Sequence, residues 1–294
     1  SNEIIKNVSS VFWEIIKHLY FPESPYSFSV FSSDILGNIY EIFLSEKLTI
    51  VAGKIELIKK PENVDKDIVT TPTYIINDIL RNTVIPKCKD KTDKEILDLK
   101  FADISCGSGA FLLELFQLLN DIVIDYYLKK DVTKLIQTNI DTYKLPFETK
   151  KEILLNCVFG VDKDYNAVEA SKFGLLLKLL EGEDVNSVNK SNPILPNLDS
   201  NVFFGNSLIN SSEIKEKKNL EIINPYDFEE LKFDVIIGNP PYLKVEDMKN
   251  ITPVELPIYK DNFKSAYKQF DKYFLFIEQG LNLLNEDGVL GYIV

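Results

Sequence analysis

Asn239-Pro240-Pro241-Tyr242 is the stretch of this chain whose groups are best placed to do chemistry. Two consecutive prolines lack N–H groups and fix φ, so a strand ladder must end there and a stiff turn begin. The turn presents one amide, able to accept and donate hydrogen bonds, and one aromatic ring. Two carboxylates stand upstream in related settings: Asp103 in Asp103-Ile-Ser105-Cys-Gly107-Ser-Gly109, and Asp162 in Val158-Phe-Gly-Val-Asp162. Gly107 and Gly109 let the backbone turn tightly and approach a ligand, and a helix behind them offers unpaired N–H groups. A carboxylate in front of that turn repels a pyrophosphate and suits a cation such as an amino-acid ammonium. A carboxylate after a second strand is the usual partner of ribose hydroxyls, or else a helix cap, for which Asp164 is better placed. Gly205-Asn206-Ser207, after a third strand, is suited to touch a purine edge.

These groups need a framework that brings strand ends together. Phe233 to Gly238 is a short apolar run of the kind that forms a buried parallel strand, and in open α/β sheets ligands bind at the carboxyl ends of such strands. Further strands are expected before Asp103, over Val158 to Asp162, before Gly205 and over Val289 to Val294, the last after a turn at Asn285 to Gly288. Helices are expected after Gly109, over Asn166 to Leu180, and on the stripe Tyr273, Phe276, Ile277, Leu281 and Leu284. Thr71 with Pro72 reads as the N-cap and first residue of a helix through Leu80. Asp103 and Asp162 lie fifty-nine positions apart, and residues 117–157 read as mostly helical, an insertion that accounts for the distance. Leu243 to Lys268 reads as a long loop. Ahead of this lie a Ser-capped helix over 9–20, a helix over 35–44, a hairpin from Leu48 to Ile58 and a charged boundary from Lys59 to Lys66. The expected fold is α/β, a doubly wound, mostly parallel sheet over 64–294 preceded by a small helical domain over 1–63.

Composition narrows the function. The chain is 45% hydrophobic and 12% aromatic, which is globular. No apolar run reaches the ~20 residues of a membrane span, and no signal peptide opens the chain. Cys88, Cys106 and Cys157 have neither paired nor zinc-type spacing, which suits buried thiols in a cytoplasmic protein. No metal site is expected. The net charge of −12 argues against gripping nucleic acid by charge alone, and Arg81 is the sole Arg. The stretch from Leu243 to Lys272, with six Lys against five acids, is a local exception. The single His18 and single Trp13 sit in the first helical pattern and read as structural, which leaves little room for histidine catalysis.

The Gly-rich first turn, an acid after the second strand and Asn-Pro-Pro-Tyr after the fourth together resemble the S-adenosylmethionine-dependent amino-methyltransferases. The resemblance is nearest to the N6-adenine DNA methyltransferases of the type IIG and type I modification-subunit branch, and it covers nearly the whole chain. Ile35-Leu-Gly-Asn-Ile-Tyr-Glu41 is similar to that branch's N-terminal helical motif, Thr71-Pro72 to its cofactor-side Thr-Pro, and Asp271 to Gly280 to the helix after its catalytic strand. The resemblance implies a class I, Rossmann-like methyltransferase using S-adenosyl-L-methionine. Asp103 and the turn through Ser105, Gly107 and Gly109 would hold the methionine end, with Thr71 nearby. Asp162 would take the ribose hydroxyls, Lys163 would flank the cofactor's adenine, and Asn206 would accept from its amino group where many relatives carry Asp.

The same resemblance gives Asn239, Pro240 and Tyr242 the catalytic roles. The Asn239 oxygen and the Pro240 carbonyl would accept the two N–H bonds of an adenine amino group, and Tyr242 would stack on the base flipped out of the duplex. The implied partner is double-stranded DNA, in a restriction-modification or phage-defence setting, with a specificity subunit or fused target-recognition and nuclease domains. The chain is expected to stop short of its relatives' last strands and recognition domain, and alone to bind cofactor weakly with little site-specific methylation. Three other readings stay open: a protein-glutamine methyltransferase of the release-factor type, which shares Asn-Pro-Pro-Tyr; a cytosine-N4 enzyme, where Ser is more usual than Asn; and a non-catalytic DNA-binding module.

Overall fold

The computed structural model describes residues 13–14, 17–18, 46–51, 53–59, 71–188, 193–209 and 231–294. The chain divides into two compact units, Ser1–Leu36 and Gly37–Val294. In the first, Trp13, Glu14, Lys17 and His18 are helical, in keeping with the helix expected over 9–20. The expected helix over 35–44 with its Ile35 to Glu41 motif, and residues 60–66 of the charged boundary, lie outside the described residues.

The first described element of the second unit is a hairpin, β1 (Glu46–Val51) against β2 (Lys54–Lys59), turning at Gly53 with φ +82°. Helix α1 (Thr73–Cys88) follows, burying Ile76, Leu80, Thr83 and Val84 at helical spacing, then the short α2 (Asp93–Leu97). A reciprocal pair of bonds between Thr92 and Glu95 closes the α2 N-terminus. Strand β3 (Phe101–Asp103) leads through the glycine turn into the 21-residue α3 (Ala110–Lys130). A second hairpin, β4 (Ile136–Asn139) with β5 (Thr142–Lys144), precedes α4 (Phe147–Cys157), β6 (Val158–Asp162) and α5 (Tyr165–Leu180). After α6 (Val185–Val188) come β7 (Val202–Phe204), β8 (Phe233–Gly238), α7 (Val245–Ile251), α8 (Glu255–Asn262), α9 (Lys272–Leu283) and β9 (Leu284–Tyr292).

The five-stranded sheet has the order β7-β6-β3-β8-β9 with every described pairing parallel. From β3 the chain winds outward through β6 to β7, then returns to the other side of β3 and winds outward again through β8 to β9. The reversal falls between β3 and β8, so their carboxyl ends border a crevice. Both sheet faces are covered. Phe101, Val158, Val202, Val235 and Ile237 join a core with Leu80, Leu112, Phe116 and Leu175 of α1, α3 and α5. Ala102, Phe159, Val161 and Ile236 join the other with Met248, Tyr259 and Phe276 of α7, α8 and α9. This two-sided burial explains the near-continuous apolar strands. Cys88, Cys106 and Cys157 are free and buried. Among the described residues no helix is long and apolar enough to cross a membrane.

Four local expectations are corrected. Within the mostly helical window 117–157, Leu135 and Ile136 are not on a helix, because Gln137-Thr-Asn and Thr142-Tyr-Lys pair across a turn, with Thr138 Oγ1 bonded to Thr142. Leu243 to Lys268 is not a plain loop: Val245, Met248, Leu256 and Tyr259 bury one side of two short helices. The last strand begins at Leu284, with Asn285 to Gly288 absorbed as a register shift opposite β8. Thr71 does not cap α1. The helix begins at Thr73 with Pro72 at its cap position and no side-chain cap bond, and the Thr71 hydroxyl is engaged elsewhere.

Candidate active site

Asp103 ends β3 at the centre of the sheet and is 2% exposed. Its Oδ1 accepts from the Ser105 N–H at 2.9 Å, and no basic side chain pairs with it among the described residues. Burial, reinforced by Asp162, pushes its carboxyl up to about 7 against the pull of the Ser105 N–H. A buried carboxylate left in this state is a receptor for a cation.

The turn behind it is built by the two glycines. Gly107 has φ +53° and Gly109 φ +90°, and a Cβ on Gly109 would collide with the Ser171 side chain of α5. Asp162, at the end of β6, reaches back into this turn. Its Oδ2 accepts from the Gly107 N–H at 2.9 Å and its Oδ1 from the Asp164 N–H at 2.8 Å. Burial raises the Asp162 carboxyl above its ordinary range despite these two bonds. Each oxygen keeps a lone pair for a hydroxyl donor. Asp164 caps α5 through the Asn166 N–H, as expected.

On the other side of Asp103 lies the end of β8. Gly238 has φ +151°, and a Cβ there would stand 2.6 Å from Asp103 Oδ1, so only glycine permits this approach. Asn239 follows. Its Nδ2 donates to Thr71 Oγ1 at 3.1 Å, while its Oδ1 is buried with no hydrogen-bond partner among the described residues. Pro240 is buried and Pro241 exposed. Tyr242 is 37% exposed, its hydroxyl donates to the Ile293 carbonyl at 2.7 Å, and its ring lies 5.7 Å from that of Tyr273. The chain leaving the turn is pinned by Asp271, whose Oδ1 accepts from the Leu243 N–H. Thr71, Asp103, Ser105, Gly107, Gly109, Asp162 and Asn239 thus gather around one crevice.

Lys163 and Asn206 belong to a second group that the sequence did not disclose. The Lys163 ammonium pairs with Glu255 Oε1 at 3.1 Å. Glu255 Oε2 accepts from the Tyr259 hydroxyl at 2.7 Å, and the Tyr259 oxygen accepts from Asn206 Nδ2 at 3.1 Å. Asn206 Oδ1 accepts from the Leu208 N–H at 3.0 Å. The i, i+4 spacing of Glu255 and Tyr259 was the available signal, hidden because their segment reads as a loop.

Comparison with known proteins gives this geometry its context. Residues 156–294 match the Eco57I restriction-modification methylase family. Over all 294 residues the chain is 58% identical to the type II restriction enzyme and methyltransferase RM.Eco57I of Escherichia coli, covering 30% of that protein. It is 26% identical over 203 residues to the type II methyltransferase M.BstVI of Geobacillus stearothermophilus, covering 69% of this chain and 29% of that one. The chain therefore spans about a third of the length of these relatives. The fold is similar to that of the type IIL restriction-modification enzyme MmeI in complex with DNA, with a TM-score of 0.50 and 14% identity over 89% of this chain and 33% of that one. The match to the Eco57I restriction-modification methylase family thus takes in β6 with Asp162 and β8 with the Asn239 turn.

Proposed function

We propose that this chain is the catalytic part of a DNA methyltransferase that moves a methyl group from S-adenosyl-L-methionine to the N6 amino group of a flipped-out adenine. The observation that carries the reading is the Asn239 Oδ1, a buried acceptor without a partner among the described residues, at the strand end beside Asp103. Leaving such an oxygen unbonded costs roughly 1–3 kcal/mol, which an arriving N–H donor returns.

The residues fit the cofactor. The unpaired Asp103 carboxylate suits its ammonium end, the positive-φ turn at Gly107 and Gly109 suits close backbone approach, and Asp162 keeps lone pairs for ribose hydroxyls. Thr71, Ser105, Lys163 and Asn206 complete the expected lining. When bound, the cofactor supplies an already activated sulfonium methyl group.

The chain's share is orientation and electrostatics. An exocyclic adenine nitrogen is a weak nucleophile because its lone pair is delocalised into the ring. Asn239 Oδ1 and the Pro240 carbonyl would accept its two N–H bonds and draw the nitrogen toward a pyramidal geometry, stabilising the transition state over the planar ground state. With its Nδ2 donated to Thr71, the Asn239 amide would present its oxygen to the incoming base. The exposed ring of Tyr242 offers a stacking face, worth roughly 1–3 kcal/mol against the cost of flipping. Of the six Lys between Leu243 and Lys272, all but Lys272 are exposed and so open to a DNA backbone.

The test is methyl transfer from labelled cofactor to a duplex carrying an adenine opposite an abasic site, where flipping is cheap, beside release factor as the competing acceptor. Label on the adenine N6, lost in Asn239→Ala, is the expected result. Label on protein glutamine and never on DNA would overturn the reading.

A further inference from the structure

We propose that Glu255 and Tyr259 are positioning residues that fix the polarity of the Asn206 amide, holding its carbonyl oxygen as the acceptor for the exocyclic amino group of the cofactor's adenine. The inference deepens the function proposed above and rests on it.

The argument is one of proton direction. Glu255 faces two ammonium groups, Lys163 at 3.1 Å and Lys272 at 3.9 Å. Burial works to raise its carboxyl, but Lys272 and Lys163, with bonds from Tyr259 and Lys163, outweigh it and hold it below the usual carboxylate range. An ionised carboxylate only accepts. The Tyr259 hydroxyl, 2.7 Å away and fully buried, must therefore spend its single proton on Glu255. Its oxygen is left able only to accept, and the group it meets is Asn206 at 3.1 Å. Asn206 must then turn its NH2 toward Tyr259, which aims its oxygen the opposite way. The Leu208 N–H, 3.0 Å from that oxygen, takes one lone pair and leaves the other for a ligand. Each bond in the series dictates the next, and the series starts at Lys163, the residue directly after Asp162.

A carboxylate at position 206 would have no wrong way round; an amide has two, of which only one offers an acceptor. Glu255 and Tyr259, carried on α8 beyond the Asn-Pro-Pro-Tyr turn, remove that ambiguity.

The test measures dissociation constants for S-adenosylhomocysteine and for S-inosylhomocysteine, in which an oxo group replaces the adenine amino group. The unaltered chain should favour the adenosyl compound by at least about tenfold, because an acceptor aimed at an amino group rejects a carbonyl. Tyr259→Phe keeps the ring and removes the hydroxyl; the preference should fall to within about twofold while affinity for the inosyl compound is unchanged. Asn206→Asp sets two carboxylates against one hydroxyl proton and should weaken adenosyl binding about tenfold. Adding Glu255→Gln, whose amide can donate to Tyr259 and so free the hydroxyl proton for the introduced carboxylate, should restore binding. A ratio unchanged in Tyr259→Phe, an equal loss for both ligands, or no restoration in the double variant would each overturn the inference. Asp162→Ala separates the two levels. If it binds both compounds as the unaltered chain does, or the unaltered chain binds neither, the cofactor reading falls and this inference with it. If it weakens both while Tyr259→Phe leaves the ratio intact, only the inference falls.

Discussion

Asn239 Nδ2 donates to the hydroxyl oxygen of Thr71 at 3.1 Å, so the amide that ends the fourth strand of the sheet is oriented by a residue standing in front of α1. With the amide nitrogen on Thr71, the Asn239 oxygen is the end left to a ligand. Thr71→Ala should lower methyl transfer at saturating cofactor about tenfold, since the amide then rotates freely. Thr71→Ser keeps the hydroxyl and should keep activity. Single-turnover transfer to an adenine opposite an abasic site, with cofactor saturation set by a binding titration, reads both variants.

Asn239→Ala should separate stability from activity. It removes a bonded NH2 and an unbonded buried oxygen together, so the two effects on folding oppose each other and the melting temperature should move by less than about 3 °C. Transfer should fall by at least about 100-fold, because the acceptor aimed at the amino group is gone. A large loss of stability with transfer preserved would contradict the role given to Oδ1.

Asp103 makes a pH-dependent prediction. Its carboxyl is raised in the folded chain to about 7, so between the unfolded value near 4 and 7 the native state binds more protons than the unfolded state. Stability from this group is therefore complete below about pH 4 and is lost as pH rises through 7. Asp103→Asn should raise the melting temperature of the ligand-free chain at pH 8, on the order of 5 °C, and leave it unchanged at pH 4. The same substitution should abolish affinity for a cationic ligand, whose binding to the unaltered chain should strengthen as pH rises toward 7. Thermal melts across pH and a titration at pH 6 and 8 check both signs.

Gly238→Ala should be the most damaging single methyl group in the site. It forces an L residue to φ +151° and sets a Cβ 2.6 Å from Asp103 Oδ1. The cost should be about 2–3 kcal/mol of stability, read by denaturant unfolding, with loss of cofactor binding because the carboxylate is displaced.

The sheet was legible because buried parallel strands write themselves as apolar runs, and Val158 to Asp162 and Phe233 to Gly238 end in the structure where the sequence ends them. The glycine turn was legible because positive φ at Gly107 and Gly109 is a local backbone demand. Where tertiary contacts decide, the reading failed. Thr71 followed by Pro72 looks like a helix cap, and only the distant Asn239 amide explains why it is not. Glu255 and Tyr259 gave no local signal of their bond to Asn206, because the helix that aligns them is held by Leu256 and Tyr259 against the far core rather than by propensity. The 136–144 hairpin was lost in a window dominated by the helices on either side.

The contact between Gly238 and Asp103 has a consequence for redesign. With no side chain between them, the reach from carboxylate to acceptor turn is fixed by the spacing of two adjacent strands, about 4.8 Å in any sheet. That reach cannot be lengthened or shortened one residue at a time. A protein engineer seeking a bulkier acceptor must therefore leave β3 and β8 alone and work outward from Tyr242, treating the pair of strand ends as a fixed jig into which other substrates are fitted.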